Sequence, residues 1–253
     1  MQSQSTASSS SGRKLTSGVT TEPAQIVAAQ RLRHQIFTSE YGADLETDTG
    51  IDQDRFDPWC EHFVVTDQSG EVVATTRLLH GEVAARIGGF YSEDEFDLDR
   101  LKRNPGLFAE LGRTCIRSDC RSGAALSMLW TEIAQYLVQE GIDYLLGCAS
   151  ISMLDGGFKA WRITQQVQQE HLAADNFRVT PKRTLPHLAS HRAQTDKVAI
   201  PALIRSYMRL GAEVCGEPCW DPAFRCADLL VLLNVDKLAA RYARRYKLEA
   251  RTA

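Results

Sequence analysis

The sequence predicts an α/β fold built around one sheet, and three observations carry that expectation. Two segments of period-two character, 61–67 and 71–79, flank Gln68-Ser69-Gly70 and read as a hairpin. Residues 107–116, 123–140 and 143–150 read as strand, helix and strand, a βαβ-like unit. The run Leu229-Leu230-Val231-Leu232-Leu233, inside 224–234, has the length and composition of a buried strand.

The elements follow in order. Residues 1–20 are dominated at their start by Ser, Thr and Gln and read as a disordered tail, because too little apolar surface is present to offset ordering. Structure is expected from Thr21-Glu22-Pro23, a capping site followed by Pro in the first turn. Ile26, Ala29, Arg33, Ile36 and Phe37 recur at helical spacing, which puts Arg33 and Phe37 on one face; Gly42 ends the helix. A carboxylate-dense loop follows, with Asp44, Glu46, Asp48, Asp52, Asp54 and Asp57. On strand 71–79, strict alternation places Val73, Thr75, Arg77 and Leu79 on one face and Val72, Ala74, Thr76 and Leu78 on the other. Residues 90–103 read as loop plus a short helix from near Asp97.

On strand 107–116, alternation puts Phe108, Glu110, Gly112 and Thr114 on one side and Leu111, Arg113 and Cys115 on the other. Gly112 marks a bulge or a close backbone approach. Leu126, Leu129, Trp130, Ile133 and Leu137 form the apolar stripe of helix 123–140, stopped by Gly141. A helix runs from Gly156-Gly157 towards Leu172, residues 182–197 read as loop, and 200–210 as a helix ended by Gly211. A basic terminal helix over 236–246 carries Lys237, Arg241, Arg244 and Arg245, with Lys247 following; its favoured reading is a solvated face, with docking to an acidic protein or an anionic membrane as the alternative.

Bulk properties exclude several classes. At 253 residues the chain suits a single domain over 21–250, and 43% hydrophobic with 24% charged residues is ordinary for a globular protein. No apolar run approaches the roughly 18 residues that span a bilayer. A net charge of −3 argues against nucleic-acid binding. Seven scattered cysteines indicate a reducing, cytoplasmic setting. Cys215 and Cys219 lack a second ligand pair at metal spacing, and no metal is expected.

The chemistry concentrates at Glu110-Leu111-Gly112-Arg113 and the turn that follows. Glu110 is a general base for a protonated amine, or a carboxylate paired with Arg113 or Arg77 for structure; the flanking Gly112 and basic turn favour the base. Arg117, Arg121, Ser122 and Gly123 stand at a helix start, where free amides and the helix dipole suit a phosphate. The pattern Cys120-x-x-Gly123-x-Ala125 is weak alone. Asp54, Asp57 and Arg77, near the Arg33/Phe37 face, form either a solvated loop or an acidic pocket for a cationic acceptor.

A family resemblance rests on motifs in order along 23–247: Arg33-x-x-x-Phe37, Asp54-x-x-Asp57, Arg77-Leu78-Leu79, Gly89-Phe90-Tyr91-Ser92, Glu95-Phe96-Asp97-Leu98, Glu110-Leu111-Gly112-Arg113, Leu129-Trp130, Gly147-Cys148-Ala149-Ser150, 203–212, Asp221-Pro222-Ala223-Phe224 and Arg241-Tyr242-Ala243-Arg244-Arg245. Together these resemble the bacterial ornithine lipid acyltransferases, a hemolysin-like branch of the GNAT superfamily. A subset, Arg33, Phe37, Asp54, Asp57, Arg77, Glu110 and Arg113, is similar to acyl-homoserine-lactone synthases, which usually carry Trp where this chain has Tyr41 and which lack its long C-terminal part.

The resemblance implies a GNAT-like acyl-N-acyltransferase fold, with a mixed, mostly antiparallel central sheet, splayed in the middle, and helices on both faces. It implies transfer of a 3-hydroxyacyl group from acyl carrier protein to L-ornithine, giving lyso-ornithine lipid. No permanently bound cofactor is implied; the donor is the phosphopantetheine thioester of the carrier protein. On this reading Glu110 is the base, while Arg33, Phe37, Asp54, Asp57, Arg77 and Arg113 shape the acceptor site. Arg117, Arg121, Ser122 and Gly123 hold the donor phosphate, and apolar groups near Phe90, Phe96 and Trp130 line the acyl channel. The usual GNAT turn opens with Gln or Arg where Cys120 stands, which implies a weaker cradle suited to one phosphodiester. The setting implied is cytoplasmic, with peripheral contact with the inner membrane surface compatible. Acylation of another amine is the first alternative, and a non-enzymatic membrane-active protein the second.

Overall fold

The structure is a computed structural model describing residues 14–42, 49–186 and 198–238. In chain order, its strands are β1 (Thr16–Thr20), β2 (Glu61–Thr66), β3 (Val72–His80), β4 (Phe96–Asp97), β5 (Phe108–Ile116), β6 (Tyr144–Ser152), β7 (Thr180–Pro181), β8 (Glu213–Val214), β9 (Cys219–Asp221) and β10 (Cys226–Asn234). The helices are α1 (Pro23–Tyr41), α2 (Gly81–Ile87), α3 (Asp99–Lys102), α4 (Ala124–Gln139), α5 (Phe158–His171) and α6 (Ala202–Leu210). The main sheet has the order β1-β2-β3-β5-β6-β10-β8, with β9 also on β10; β4 and β7 pair separately. Every strand pairing in the main sheet is antiparallel except β5 with β6. This is the mixed, mostly antiparallel architecture that the sequence resemblance implies.

Helices cover both faces. Ala29, Leu32 and Ile36 of α1 pack with Val64, Val72 and Cys115 on one face. Pro23 starts α1, and Gly42, at φ 62, ends it by donating its N–H to the carbonyl of Phe37. On the opposite face Leu129, Ile133 and Leu137 of α4 pack with Phe63, Leu78 and Leu145, alongside Ala160, Ile163 and Val167 of α5 and Met208 of α6. Apolar residues three or four apart supply these faces, so burial more than intrinsic propensity holds the helices in place.

Two departures from strict alternation matter. Thr75 pairs with Cys115 but Arg77 with Gly112, so Arg113 and Thr114 together oppose Thr76. This is a β-bulge, and Arg113 sits in it at φ 55, a left-handed conformation unusual for a residue with a Cβ. The extra residue shifts the parity of the strand. Arg113 and Cys115 therefore share the face of Glu110, contrary to simple alternation, while Thr114 turns to the other side and its hydroxyl meets that of Thr76 at 2.7 Å. A second irregularity, between Val65 and Thr66, makes Val73 the extra residue of β3 and sends Val72, not Val73, under α1.

The expected tail also ends earlier than read: 16–20 form β1, paired antiparallel to β2, because Thr and Val there suit an edge strand. The anticipated basic helix over 236–246 lies outside the described residues beyond Leu238, as do Asp44, Glu46 and Asp48.

β5 and β6 pair over only three positions, Phe108 with Tyr144, Ala109 with Leu145 and Glu110 with Leu146. Both strands continue well past this point, so the sheet opens into a wedge just beyond Glu110.

Candidate active site

A cleft of about 880 Å³, counting its mouth, occupies this wedge. Glu110 lines it, along with Arg77, Arg113, Tyr91, Asp221 and Asp228. Glu110 is set on this face by pairing with Leu79, two residues along from Arg77. Its Oε2 accepts the N–H of Tyr91 at 2.6 Å and its Oε1 the N–H of Ser92 at 2.9 Å. Among the described residues it has no Arg, Lys or His within ion-pair distance. Burial raises its proton affinity above that of an ordinary glutamate, and the two amide donors and the Arg77 charge offset this in part. A carboxylate held by two amides and left without a counter-ion is a competent proton acceptor.

Behind the cleft lies a buried ionic layer. Arg33 bonds Asp52 through Nε at 2.7 Å and Asp57 through Nη1 at 2.6 Å. Arg77 bonds both oxygens of Asp54 at 2.6 Å and lies 2.8 Å from Asp57. Arg113 reaches Asp52 at 3.2 Å and Asp54 at 3.1 Å. Arg33, Arg77 and Arg113 thus balance Asp52, Asp54 and Asp57. Burial alone would raise the Asp57 carboxyl, but the Arg33 bonds and the Arg77 charge overcome it and hold it far below the usual range. Asp54 is lowered in the same way, against burial, by Arg77 and Arg113.

Of the anticipated acceptor-site residues, Phe37, Arg77 and Arg113 line the cleft, whereas Arg33, Asp54 and Asp57 stand in the layer behind it. With each Asp matched by an Arg, this layer offers little free negative charge; its evident contribution is to fix Arg77 and Arg113. The Arg113 guanidinium lies between two rings, 4.8 Å from the centroid of Tyr91 and 5.0 Å from that of Phe224. Phe224 in turn meets Phe37 edge-on at 5.6 Å.

The opposite wall was not anticipated. Asp221 and Asp228 line the cleft, with Glu95, Cys148 and Ser150 around them. Burial, then the charges of Asp228 and Asp221, push the Glu95 carboxyl up to about 9, and burial raises Asp228 to about 6. The available signal is a carboxylate inside an apolar run, 226–233 of β10. Asp221, Cys226 and Asp228 are also the group among the described residues whose ligand atoms could enclose a metal ion.

The anticipated phosphate residues lie apart, at the start of α4, and none of them lines the cleft. Gly123, at φ 97, precedes the helix with open space around its Cα. Arg117 is engaged by Asp119, Glu71 and Asp67, and Arg121 by Glu40 and the carbonyl of Ile116. An apolar groove continues from the cleft between the splayed strands, lined by Leu111, Trp130, Gly147, Tyr207, Val231 and Leu233. Trp130 meets Tyr207 edge-on at 5.8 Å. Of the residues expected along an acyl channel, Trp130 lines this groove, whereas Phe90 and Phe96 are buried with Leu98 and Leu101 in a separate cluster.

Residues 32–131 match a family described as acetyltransferase (GNAT) domain. The chain is 35% identical over 247 residues to the L-ornithine N(alpha)-acyltransferase of Brucella abortus, covering 90% of this chain and 86% of that one. The chain belongs to the L-ornithine N(alpha)-acyltransferase family. A relative of the same name from Rhizobium meliloti is 33% identical over 255 residues, covering 90% and 82%. Among solved structures, FeeM, an N-acyl amino acid synthase from uncultured soil microbes, aligns with a TM-score of 0.56 at 13% identity over 94% of this chain and all of that one. The acyl-homoserine-lactone synthase LasI aligns with a TM-score of 0.53 at 13% identity, covering 88% and 91%. Those two likenesses bear on the fold alone. This acyltransferase is accordingly an enzyme, not a membrane-active protein without catalysis, and among its described residues no helix is long and apolar enough to cross a membrane.

Proposed function

We propose that this acyltransferase moves a 3-hydroxyacyl group from the phosphopantetheine thioester of acyl carrier protein to the α-amine of L-ornithine, giving lyso-ornithine lipid. The observation that carries the reading is Glu110, a buried carboxylate without an ion-pair partner at the apex where β5 and β6 part. The ornithine acceptor rests on the family relatives, which bear that substrate in their names.

The chemistry is direct transfer. The acceptor arrives protonated and cannot attack until Glu110 takes its proton, directly or through water. The freed nitrogen attacks the thioester carbonyl carbon, the C–N bond forms, and the C–S bond breaks. The attacking nitrogen sheds its second proton as it becomes the amide, and the departing pantetheine sulfur takes up a proton as the thiol. The bulge at Arg113 and Thr114 interrupts the β3–β5 ladder, and backbone amides there would polarise the carbonyl as its oxygen gains charge. The pantetheine arm would thread the wedge, with the acyl chain in the groove of Trp130 and Tyr207 and the phosphodiester at the start of α4 near Gly123. Arg117 and Arg121 would exchange their present carboxylate partners for that phosphate. A carrier-protein donor sets the reaction in the cytoplasm, with peripheral membrane contact where the product is delivered.

The test is a mass spectrum of the product formed from loaded carrier protein and a mixed amino-acid pool. N-acylornithine is the expected species. Turnover with long-chain acyl-CoA but none with the carrier-protein thioester would overturn the donor, and a product lacking ornithine would overturn the acceptor.

A further inference from the structure

The geometry points to the wall formed by Asp221 and Asp228 as the subsite for a second ammonium group on the acceptor, a specificity element that rests on the acyl-transfer reading above. Both residues line the same cleft as Glu110, yet they are 6% and 2% exposed. Neither has a Lys, Arg or His partner within ion-pair distance among the described residues, in contrast to the matched layer on the other side. The amides of Ala223 and Phe224 both bind Oδ1 of Asp221, and Cys226 Sγ donates to both oxygens of Asp228. Ligand atoms of Asp221, Cys226 and Asp228 converge within 4.8 Å of one another.

Two buried carboxylates side by side without a counter-charge are costly, and a cation entering the cleft relieves that cost. An alkylammonium suits it. It brings three N–H donors and no acceptor, and it finds two carboxylates with the Ser150 hydroxyl, a hydrogen-bond partner of Asp228, beside them. Glu95, kept neutral by burial and by the charges of Asp228 and Asp221, adds no further charge. A diamino acid would thus be read at two points, its reacting amine at Glu110 and its distal amine at this wall. A monoamino acid of the same length would leave the wall unpaired, which is how a polar site rejects an analogue.

The experiment compares ornithine with norvaline, which keeps the five-carbon skeleton without the distal amine, using the full-length enzyme and an acyl-thioester donor. The wild-type enzyme is expected to prefer ornithine in kcat/KM. Asp228→Asn is expected to reduce that preference at least tenfold, mainly through the KM for ornithine. Asp221→Asn, at the sheet edge, supplies the same readout should the first variant fold poorly. An unchanged ratio, or an equal fall on both acceptors, overturns this inference alone. So does a stoichiometric divalent metal in the purified wild-type protein that Asp228→Asn removes. A wild-type enzyme that acylates no amino acid sinks the acyl-transfer reading, and this inference with it.

Discussion

Gly147 of β6 packs so closely on Leu111 of β5 that a Cβ at Gly147 would stand 2.3 Å from the Leu111 carbonyl oxygen. The contact falls immediately past the last paired residues, Glu110 and Leu146, and so marks the apex of the wedge. The neighbouring atom is backbone and cannot rotate away. Gly147→Ala should therefore cost about 1–3 kcal/mol, as overpacking does. It should also reduce turnover beyond what the loss of folded protein explains, because it moves the floor of the cleft. Thermal melts and kcat on the same preparation would check both, and a wild-type melting temperature would refute the account.

Glu110→Gln should lower kcat by about 10²- to 10⁴-fold, the usual worth of a positioned base. Its two oxygens each accept an amide, so the Gln amino group meets one N–H head-on at a cost of about 1–3 kcal/mol. The pH profile separates chemistry from stability. A general base acts in its ionised form, so with Glu110 in that role kcat/KM should rise with pH through a midpoint above the ordinary glutamate value. Arg77, Arg113, Tyr91, Cys60 and Cys148 face the same space, and of these the Arg77 charge restrains the rise. The Gln variant should lose this limb; a variant that keeps it assigns the base elsewhere.

In the ionic layer, Arg33→Ala strips Asp52 and Asp57 of their closest cation and should cost about 3–5 kcal/mol, the penalty for an orphaned buried charge. Arg33→Lys should recover only part, since a point charge cannot reproduce the fork. Asp54 and Asp57 titrate below their unfolded value of 3.8. Their stabilisation is complete above that pH and is lost as pH falls through the folded values. Asp57→Asn should blunt that acid transition in a denaturant series, and an unaltered transition would count against the assignment.

Glu95 and Asp228 carry the opposite sign. Their folded values, about 9 and about 6, lie above the unfolded 4.5 and 3.8. Their contribution is full below the unfolded values and is lost as pH rises through 6 and then 9. The free enzyme should be more stable near pH 5.5 than near pH 9.5. Glu95→Gln, which can still accept from Cys148, should flatten the upper part of that decline. Urea unfolding at the two pH values is the measurement; a Gln variant with the wild-type slope would show that Glu95 is not the group.

Much of this was legible in the sequence, for reasons particular residues make plain. The α4 stripe of Leu129, Ile133 and Leu137 has one periodicity and one solution, and the strand on either side follows from it. Gly112 flagged a disturbance in β5 but not where the extra residue falls, because the register of β3 against β5 is a tertiary choice. Strict alternation consequently puts Arg113 on the wrong face. The pairing of Arg33, Arg77 and Arg113 with Asp52, Asp54 and Asp57 could not be read from a loop that looks like any solvated acidic stretch. Asp228 carries no signal in the sequence beyond that of a lone carboxylate, because the strand around it reads as core. It is also the place where local pattern and fold disagree, which is where function tends to concentrate.

Arg113 touches three separate parts of the chain: the Tyr91 ring on the segment that grips Glu110, the Phe224 ring beside Asp221, and the carboxylates of Asp52 and Asp54. One guanidinium therefore braces the segment around Glu110, the acidic wall and the ionic layer against one another before any acceptor arrives. The entropy of arranging these groups is settled during folding and is not charged again at each turnover.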